Sequence, residues 1–336
     1  QEDLAGLLLA SGESAIAWQA SRRDEALLPA AGVDILQAAL RLALEKSPVK
    51  TPTPRGVSAS AELAPAGLPR PAVPCERVPQ RLSASSLQSL VNCPYQYFAR
   101  HILRLNEIED LQDGLEKRDF GELLHAILKR FHERFPTLAG QTDAALLAEL
   151  EALSEDAFAQ AVGRNFQDHA WRLRWLSRLP AYIAWQRDRE QAGWRWAAGE
   201  ESEQREFELD DGALLSLVGR IDRRDNRGDE TALLDYKSRN KEALARQVKN
   251  PDDVQLAFYS LLKGTHIGEA AYVALDGDKL EAVPMPEPER RAELLADGIN
   301  ASFTALRAGA GLPAHGSASA CAWCEMNGLC RHEWRG

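Results

Sequence analysis

The stretch LVGRIDRRDNRGDETALLDYKSR, from Leu217 to Arg239, decides how the rest of this chain is understood. The apolar segments LLSLVGRID and TALLDYKS have the composition of strands, and the segment between them is polar and contains a glycine. We predict two paired strands that close near Arg227-Gly228, with Asp222 at the end of the first. Such a hairpin would bring Asp222 alongside Asp235 on the second strand.

Asp235 and Lys237 lie two positions apart, so they share one face of the predicted strand, while Tyr236 points into the other layer. Two carboxylates at one point repel each other unless a cation lies between them. Oxygen ligands suit Mg²⁺ or Mn²⁺, and a lysine beside them can position a water or stabilise the oxygens of a transition state. The alternative is that Asp222 is a turn residue and that Asp235 and Lys237 form a surface ion pair. The hairpin alone does not decide between these interpretations.

The composition describes an ordinary globular protein of 336 residues, 45% of them hydrophobic and 27% charged. A net charge of −10 argues against a protein that coats nucleic acid, but a nuclease can confine its positive charge to one groove. No apolar run approaches the ~20 residues that a membrane span needs, and no secretory signal is visible. We therefore expect a cytoplasmic protein without a membrane partner.

Three segments are predicted along the chain. Residues 1–47 are largely helical and too small for their own core, and the first residue is Gln1 rather than Met, so we expect the end of a preceding domain. Residues 48–82 contain eight of the seventeen prolines and are predicted to be a semi-rigid linker, or alternatively an ordered strap on the surface. Residues 83–336 form the predicted main domain.

The first half of the main domain is predicted to be helical. SASSLQSLVN is a short helix capped by Ser83 or Ser85, and Cys93-Pro94 separates it from the next helix. Residues 118–135 form an amphipathic helix with His125 just off its apolar stripe. Residues 140–198 form a helical insertion rich in arginine, with Trp171, Trp175, Trp185, Trp194 and Trp196. Arginine and tryptophan together can hold single-stranded nucleic acid, although tryptophans in the core and solvated arginines are the alternative.

The second half changes to the period of strands. The five strand candidates are EQREFELD, LLSLVGRID, TALLDYKS, EAAYVALD and KLEAVPM, and DDGA forms a tight turn between the first two. DDVQLAFYSLLKG is a helix between the third and fourth strands, so the sheet is mixed, and PEPERRAELLADGINASFTALRAG is a final helix. We predict an α/β fold with a central mixed sheet flanked by helices. The chain contains no GxxxxGK[ST] phosphate-binding loop.

Several motifs, in order, resemble the PD-(D/E)XK nuclease superfamily. Gly219-x-x-Asp222 followed by Asp235-Tyr236-Lys237 resembles its core, although Ile221 stands where the name-giving proline would be. GELLH (121–125) and QLAFY (255–259) resemble the helix motifs of the RecB-like branch. SASSLQSLVNCPYQYFARHILRL resembles the start of the AddB-type nuclease domain, and AIAWQASRRDEALLPA resembles the end of the helicase-like domain before it.

The resemblance implies a restriction-endonuclease-like core and metal-dependent hydrolysis of DNA phosphodiester bonds. The metal ligands that it implies are His125, Asp222, Asp235 and the backbone carbonyl of Tyr236. Lys237 would be the catalytic lysine, and Gln255 and Tyr259 would support the site or contact the DNA.

The cysteines form a second pattern, Cys321-x2-Cys324-x5-Cys330, with Cys93 far upstream as a possible fourth ligand. In a reducing cytoplasm, clustered cysteines bind metal more often than they form disulfides. This bracketing resembles the AddB-type iron–sulfur staple, which implies a 4Fe-4S cluster; structural Zn²⁺ is the alternative. Cys75 is expected to be free.

The leading hypothesis is a Mg²⁺- or Mn²⁺-dependent exonuclease that acts on DNA ends in double-strand-break repair and recombination. Its expected partner is a helicase that supplies a single strand. The alternative is an inactive nuclease-fold module that binds DNA or a partner protein. An iron–sulfur redox protein would leave the hairpin of carboxylates and lysine unexplained.

Overall fold

The computed structural model describes residues 67–106, 117–161, 166–264, 266–277 and 279–331, together with 31–44 and the short stretches 10, 16, 21–22, 25–26 and 28. The chain divides into two compact units, Gln1–Pro65 and Ala66–Gly336. In the first unit, β1 (Ser21–Arg22) pairs antiparallel with β2 (Glu25–Ala26), and α1 (Ala31–Leu44) follows. The helix predicted over LAGLLLA lies outside the described residues.

The second unit contains a six-stranded mixed sheet among its described residues. Its strands are β3 (Arg81–Leu82), β4 (Arg195–Glu208), β5 (Leu214–Arg227), β6 (Glu230–Lys237), β7 (Ile267–Ala274) and β8 (Glu281–Pro284). The order is β3-β5-β6-β7-β8, with β4 paired to the other edge of β5. β6 and β7 are parallel and the pairs β4–β5, β5–β6 and β7–β8 are antiparallel, which confirms the predicted mixed sheet.

Helices cover both faces of this sheet, as the predicted fold class requires. The helices are α2 (Ala84–Asn92), α3 (Pro94–Tyr97), α4 (Lys117–Arg134), α5 (Asp143–Ala161), α6 (Phe166–Leu176), α7 (Leu179–Gln191), α8 (Lys241–Lys249), α9 (Gln255–Lys263), α10 (Pro288–Arg307), α11 (Ala318–Cys321) and α12 (Asn327–Cys330). A π-helical turn, Phe98–Ile102, continues α3. One hydrophobic cluster packs α8, α9 and α10 on one face, and a second packs α4, α5, α6 and α7 on the other.

The long strand β5 corrects the predicted hairpin. Asp222 does not end the strand, because β5 continues to Arg227 and pairs with β6 from Arg223↔Leu234 to Arg227↔Glu230. The polar segment resembled a turn because its charges suggest exposure, yet the side chains of Arg223 and Asp225 are buried against each other. The predicted closure near Arg227-Gly228 is confirmed, with Gly228 at φ 57°.

The helical insertion ends earlier than predicted. α7 stops at Gln191, and Arg195 already begins β4, so the last residues of the predicted 140–198 insertion belong to the sheet. Gly193, at φ 90°, allows the chain to reverse there. Trp194 is buried, and Trp196 stacks on the ring of His132 with 5.8 Å between centroids, so these tryptophans pack the start of a strand.

Residues 67–82 form an ordered strap on the second unit, which is the alternative to a linker for this part of the predicted 48–82 segment. The backbone N–H groups of Leu312 and Ala314 donate to the carbonyls of Pro71 and Pro69 at 2.7 and 3.0 Å. The strap ends in β3, which pairs parallel with β5 through Leu82↔Leu217. Residues 45–66 lie outside the described residues.

The strap leads directly into the predicted capped helix. Ser83 is the N-cap of α2, and its hydroxyl accepts from the N–H of Ser86 at 3.2 Å, as the capping pattern predicts. Cys93 ends α2 and Pro94 opens α3, so Cys93 lies at the predicted junction between two helices.

Candidate active site

The cleft opens where two neighbours of β5 separate. β3 pairs with residues 216–217 of β5 and β6 pairs with 223–227, so the described ladders leave the edge between them open. Past the Arg223↔Leu234 pair the backbone ladder stops, and the Asp222 carboxylate accepts from the N–H of Tyr236 at 2.9 Å instead. This divergence leaves space beside Asp222 at the end of β6.

His125 reaches this space from α4. Its Nε2 lies 3.2 Å from the carbonyl oxygen of Tyr236 and 3.5 Å from Oδ2 of Asp222. Burial alone would lower the pKa of His125, but the hydrogen bond to Glu200 and the charges of Asp222 and Asp235 raise that pKa to about 9. The predicted histidine therefore faces the predicted carboxylates, and it does so without leaving the apolar packing of α4.

Glu200 completes this group, and the sequence reasoning missed it. Its Oε1 lies 3.1 Å from Nδ1 of His125, and its Oε2 lies 2.7 Å from Nε of Arg220. Burial would raise the pKa of Glu200, but the hydrogen bond and charge of His125 lower it. Four glutamates lie within residues 200–206, so no local pattern distinguishes this one; the β4–β5 register places it opposite Asp222. Glu200 also has φ 53°, a rare conformation for a non-glycine residue and one that concentrates at functional sites.

The spacing of these ligands fits a divalent cation. Single donor atoms of His125, Glu200 and Asp222 all lie within 4.8 Å of one another. Neighbouring ligands of an octahedral ion at 2.0–2.1 Å lie about 3.0 Å apart. The separations of 3.2 Å and 3.5 Å from His125 Nε2 to the carbonyl of Tyr236 and to Asp222 therefore need only small adjustments.

Asp235 and Lys237 form the other half of the cleft. Nζ of Lys237 lies 2.7 Å from Oδ2 of Asp235 and donates to Oε1 of Gln255 at 2.9 Å. Gln255 in turn donates to Oδ1 of Asp235 at 2.6 Å and to the hydroxyl of Tyr259 at 3.2 Å. The ion pair is not a surface pair, because Asp235 is only 1% exposed. The structure thus brings the predicted residues of β6 and α9 into one hydrogen-bonded group.

The two carboxylates resist carrying their charges together. Burial and the neighbouring Asp235 raise the pKa of Asp222 to about 7. Burial also raises the pKa of Asp235, although the charge of Lys237 opposes this. An arrangement that raises the pKa of a carboxyl group in the absence of a cation is one that a cation would stabilise.

The predicted residues line one cleft of about 1250 Å³. His125, Asp222, Asp235, Lys237, Gln255 and Tyr259 lie on its walls, and Ser83, Ser85 and Gln88 of the α2 region form its opposite side. The carbonyl of Tyr236 faces His125, as described above. Their catalytic and ligand roles stay predictions.

The side chain of Tyr236 is anchored on the opposite face of the sheet. Its hydroxyl accepts from Nη1 of Arg223 at 3.1 Å and lies 3.1 Å from the hydroxyl of Tyr182 in α7. Arg223 also donates through Nε to Asp225 at 2.7 Å, and its side chain is almost fully buried. The strand residue between Asp235 and Lys237 is therefore fixed from below by buried polar contacts.

The four predicted cysteines line one separate cavity. Cys93 lies at the junction of α2 and α3, and Cys321, Cys324 and Cys330 lie on the C-terminal turns around it. Among the described residues, no three cysteine sulfurs lie within 4.8 Å of one another. Burial and the neighbouring Cys93 and Cys330 raise the pKa of Cys321. The iron–sulfur cluster therefore stays a prediction, and Cys75 is exposed and free.

The fold and the cleft together define the class of this protein as a nuclease core. The chain belongs to the PD-(D/E)XK nuclease superfamily, whose family model matches residues 81–331. This confirms the resemblance that the motifs indicated.

The curated relatives are much longer proteins. An ATP-dependent helicase/deoxyribonuclease subunit of Geobacillus thermodenitrificans is 29% identical over 179 residues, which are 47% of this chain and 15% of that protein. The subunit of the same name from Bacillus licheniformis is 28% identical over 204 residues, or 55% of this chain and 17% of that protein. The matched part thus spans a small fraction of either relative. The crystal structure of SSO0001 covers 75% of this chain at 13% identity with a TM-score of 0.30, too distant a likeness to bear on the fold.

Proposed function

We propose that this protein is a Mg²⁺- or Mn²⁺-dependent deoxyribonuclease that hydrolyses phosphodiester bonds at DNA ends. One observation supports this most directly. The buried Asp235–Lys237 pair faces the group of His125, Glu200 and Asp222 across a single cleft. A binding module would need neither the buried carboxylates nor the lysine between them.

The proposed cation ligands are His125, Glu200, Asp222, Asp235 and the carbonyl of Tyr236. When bound, a divalent cation would lower the pKa of a water and neutralise charge on the phosphate. Glu200 has a second part, because it accepts from Nδ1 of His125 and so directs Nε2 into the cleft.

Lys237 is proposed to hold the attacking water or the phosphate oxygens as a mobile point charge. Gln255 fixes this lysine, since it accepts from Nζ and donates to Asp235 at the same time. Tyr259 supports Gln255 through its hydroxyl. Together α9 and β6 keep the ammonium group over the carboxylate until DNA arrives.

The test compares cleavage of linear DNA in Mn²⁺ or Mg²⁺ by the wild type, Asp235→Asn and Lys237→Ala. Both variants are expected to lose cleavage while they retain the unfolding midpoint of a folded protein. Matched controls are Asp211→Asn and Lys263→Ala, whose side chains pair with Arg307 and Glu203 away from the cleft. A wild type that binds DNA yet cuts under neither metal would establish the binding module instead.

The proposed biological setting is a helicase–nuclease in double-strand-break repair, in the cytoplasm. The relatives named as subunits of an ATP-dependent helicase/deoxyribonuclease support this, and the absence of a GxxxxGK[ST] loop means that a partner or another domain supplies ATP hydrolysis. Within the described residues no helix is long and apolar enough to cross a membrane. Co-purification of this protein with ATP-dependent DNA-unwinding activity from its native cell tests the partnership.

We further propose that Cys93, Cys321, Cys324 and Cys330 hold a 4Fe-4S cluster. Their shared cavity supports a common ligand. A single tetrahedral Zn²⁺ with bonds of 2.3 Å needs sulfurs about 3.8 Å apart, closer than any three described cysteines come. Anaerobically isolated protein should contain iron and acid-labile sulfide, and Cys93→Ser should lose both. Stoichiometric zinc would establish the alternative.

A further inference from the structure

A second pocket lies beside the active-site cleft at the carboxyl ends of β6 and β7. Ser238, the residue after Lys237, lines it, as do Leu275 and Asp276 after β7. α4 and α6 form its other walls, and its volume is about 690 Å³, within the range of pockets that hold small organic groups. Ligands of open α/β sheets commonly bind beyond the carboxyl ends of parallel strands, which is where this pocket opens.

Aromatic rings form the wall of this pocket. Trp171 of α6 is half-buried and packs on Phe120 of α4, with 5.0 Å between ring centroids. Trp175 lies one turn further along α6 and is buried, with its indole N–H donating to Ser154 at 3.0 Å. Trp171 is therefore a ring held in place by packing, with one part of its surface still open to the pocket.

Positive charge surrounds the rings in a chain whose net charge is −10. Lys117, Arg174 and Arg178 line the pocket, against one lining carboxylate, Asp276, which pairs with Arg174. Lys117 is exposed at the start of α4, and Arg174 is 57% exposed. Aromatic faces within a positive rim are what a nucleotide of a single strand needs, because the base stacks and the phosphate is neutralised.

We propose that this pocket binds one unpaired nucleotide of the DNA strand, adjacent to the nucleotide whose phosphodiester occupies the active-site cleft. The inference rests on the proposed nuclease function and names the form of its substrate: a single strand whose base stacks on Trp171. The consecutive residues Lys237 and Ser238 connect the two sites, so a strand crossing the end of β6 reaches both. A base still paired in a duplex could not enter.

The test measures binding in EDTA, where no cutting occurs, by fluorescence anisotropy of a labelled DNA hairpin with a short oligothymidylate tail. An abasic site is placed at each tail position in turn. For the wild type, one abasic position should weaken binding between about 5-fold and about 150-fold, the range for loss of one stacked base. Trp171→Ala should show the same loss with the intact tail and no further loss with that abasic site. Trp171→Phe should bind nearly as the wild type does.

A second measurement does not depend on replacing a packed ring. Lys117→Ala should reduce the slope of log affinity against log salt concentration by about 0.7, the value for one phosphate contact on a single strand. Leu173→Ala on α6 is the matched control, since Leu173 is 61% exposed and does not line the pocket, and it should change neither quantity. Urea unfolding of each variant verifies that it folds.

The inference is overturned if abasic sites affect the wild type and Trp171→Ala equally and Lys117→Ala keeps the wild-type salt slope. Its failure is distinct from that of the proposed function. A protein that cuts DNA without the abasic effect loses only the pocket, whereas a protein that shows the abasic effect but never cuts keeps the pocket and loses the nuclease.

Discussion

Arg223 is only 1% exposed, and its guanidinium contacts side chains of four elements of the fold. Its hydrogen-bond partners are His132 in α4, Tyr182 and Gln186 in α7, Asp225 in β5 and Tyr236 in β6. Arg189 adds a second cation to Asp225 at 2.7 Å. A buried charge of this kind is tolerated only when every partner stays in place, because removal of one partner leaves the others desolvated and unpaired.

Arg223→Met is expected to lower the free energy of unfolding by about 3 to 5 kcal/mol, since it removes the main partner of a fully buried carboxylate. Urea unfolding followed by circular dichroism measures this. Arg130→Met is the control: Arg130 is 49% exposed and pairs with Asp156, so the change should cost about 0 to 1 kcal/mol. Equal losses for the two variants would mean that the buried network adds no more than a surface ion pair.

The protonation of the cleft predicts how metal binding depends on pH. In the metal-free protein the pKa of His125 is about 9 and that of Asp222 about 7, so both groups carry protons below pH 7 and His125 alone carries one between pH 7 and 9. A cation must displace these protons, so Mn²⁺ binding should tighten up to about tenfold per pH unit between pH 7 and 9 and more steeply below. Calorimetry in buffers of different ionisation enthalpy counts the released protons.

His125→Gln provides the control for this pH dependence. The variant lacks the group with the raised pKa, so its weaker Mn²⁺ affinity should vary little between pH 7 and 9. A wild-type affinity that is constant over this range would show that Nε2 of His125 is not a ligand.

At the scale of elements, Gly219 sets how closely β5 and α9 approach. A Cβ at this position would lie 2.9 Å from Cδ2 of Leu262 and 3.4 Å from Cε1 of Tyr259, both on α9. Because Gln255 on the same helix holds Lys237, the packing of this helix against the strand also positions the proposed catalytic lysine. The glycine is needed here for space.

Gly219→Ala is expected to push α9 outward, lower the free energy of unfolding by about 1 to 3 kcal/mol, and reduce DNA cleavage. Mn²⁺ affinity should change little, because none of the proposed ligands lies on α9. Gly298→Ala is the matched control: it lies within α10 with no atom within 4 Å of the added Cβ, and it should stabilise the protein by about 0.8 to 1 kcal/mol. If Gly219→Ala is as well tolerated as this control, the close approach does not constrain the helix.

The sequence predicts elements whose signals are local. The cap at Ser83, the apolar stripe around His125 and the crossover helix that begins at Gln255 all follow from short patterns, and the structure has these helices. Features that depend on pairing over long distances could not be predicted in this way. The second half of β5 looked like a turn because a buried Arg223–Asp225 pair has the composition of a surface, and Glu200 enters the cleft only through the β4–β5 register.

The same distinction applies to short elements. β3 is two residues long and has no periodicity to detect, yet it closes one side of the cleft by pairing with β5. The proline-rich composition of residues 48–82 indicated a linker, but prolines restrict φ equally in an ordered strap. Only the backbone contacts of Pro69 and Pro71 with residues 312–314 distinguish the two for the described part.

At the scale of the whole second unit, the strap belongs to the core that positions the site. Val73, Val78 and Leu82 are 4%, 6% and 0% exposed, and all three lie in the hydrophobic cluster that contains α9. Full burial of such side chains contributes about 1.5 to 3 kcal/mol each, or about 4 to 9 kcal/mol together. The whole stability of a domain is about 5 to 15 kcal/mol, so the unit cannot dispense with this segment.

A fragment of residues 66–336 is therefore expected to unfold cooperatively and to retain Mn²⁺-dependent DNA cleavage, since it contains the whole second unit. A fragment of residues 83–336, which starts at the predicted domain boundary, should lose most of its stability because it exposes the face that the strap and β3 cover. Urea unfolding and cleavage assays on both fragments measure the difference. Alanine at positions 73, 78 and 82 of the full chain is the matched control, because it removes the burial without shortening the chain and should cause a comparable loss. Equal stability of the two fragments would place the start of the folding unit at residue 83 and make the strap dispensable.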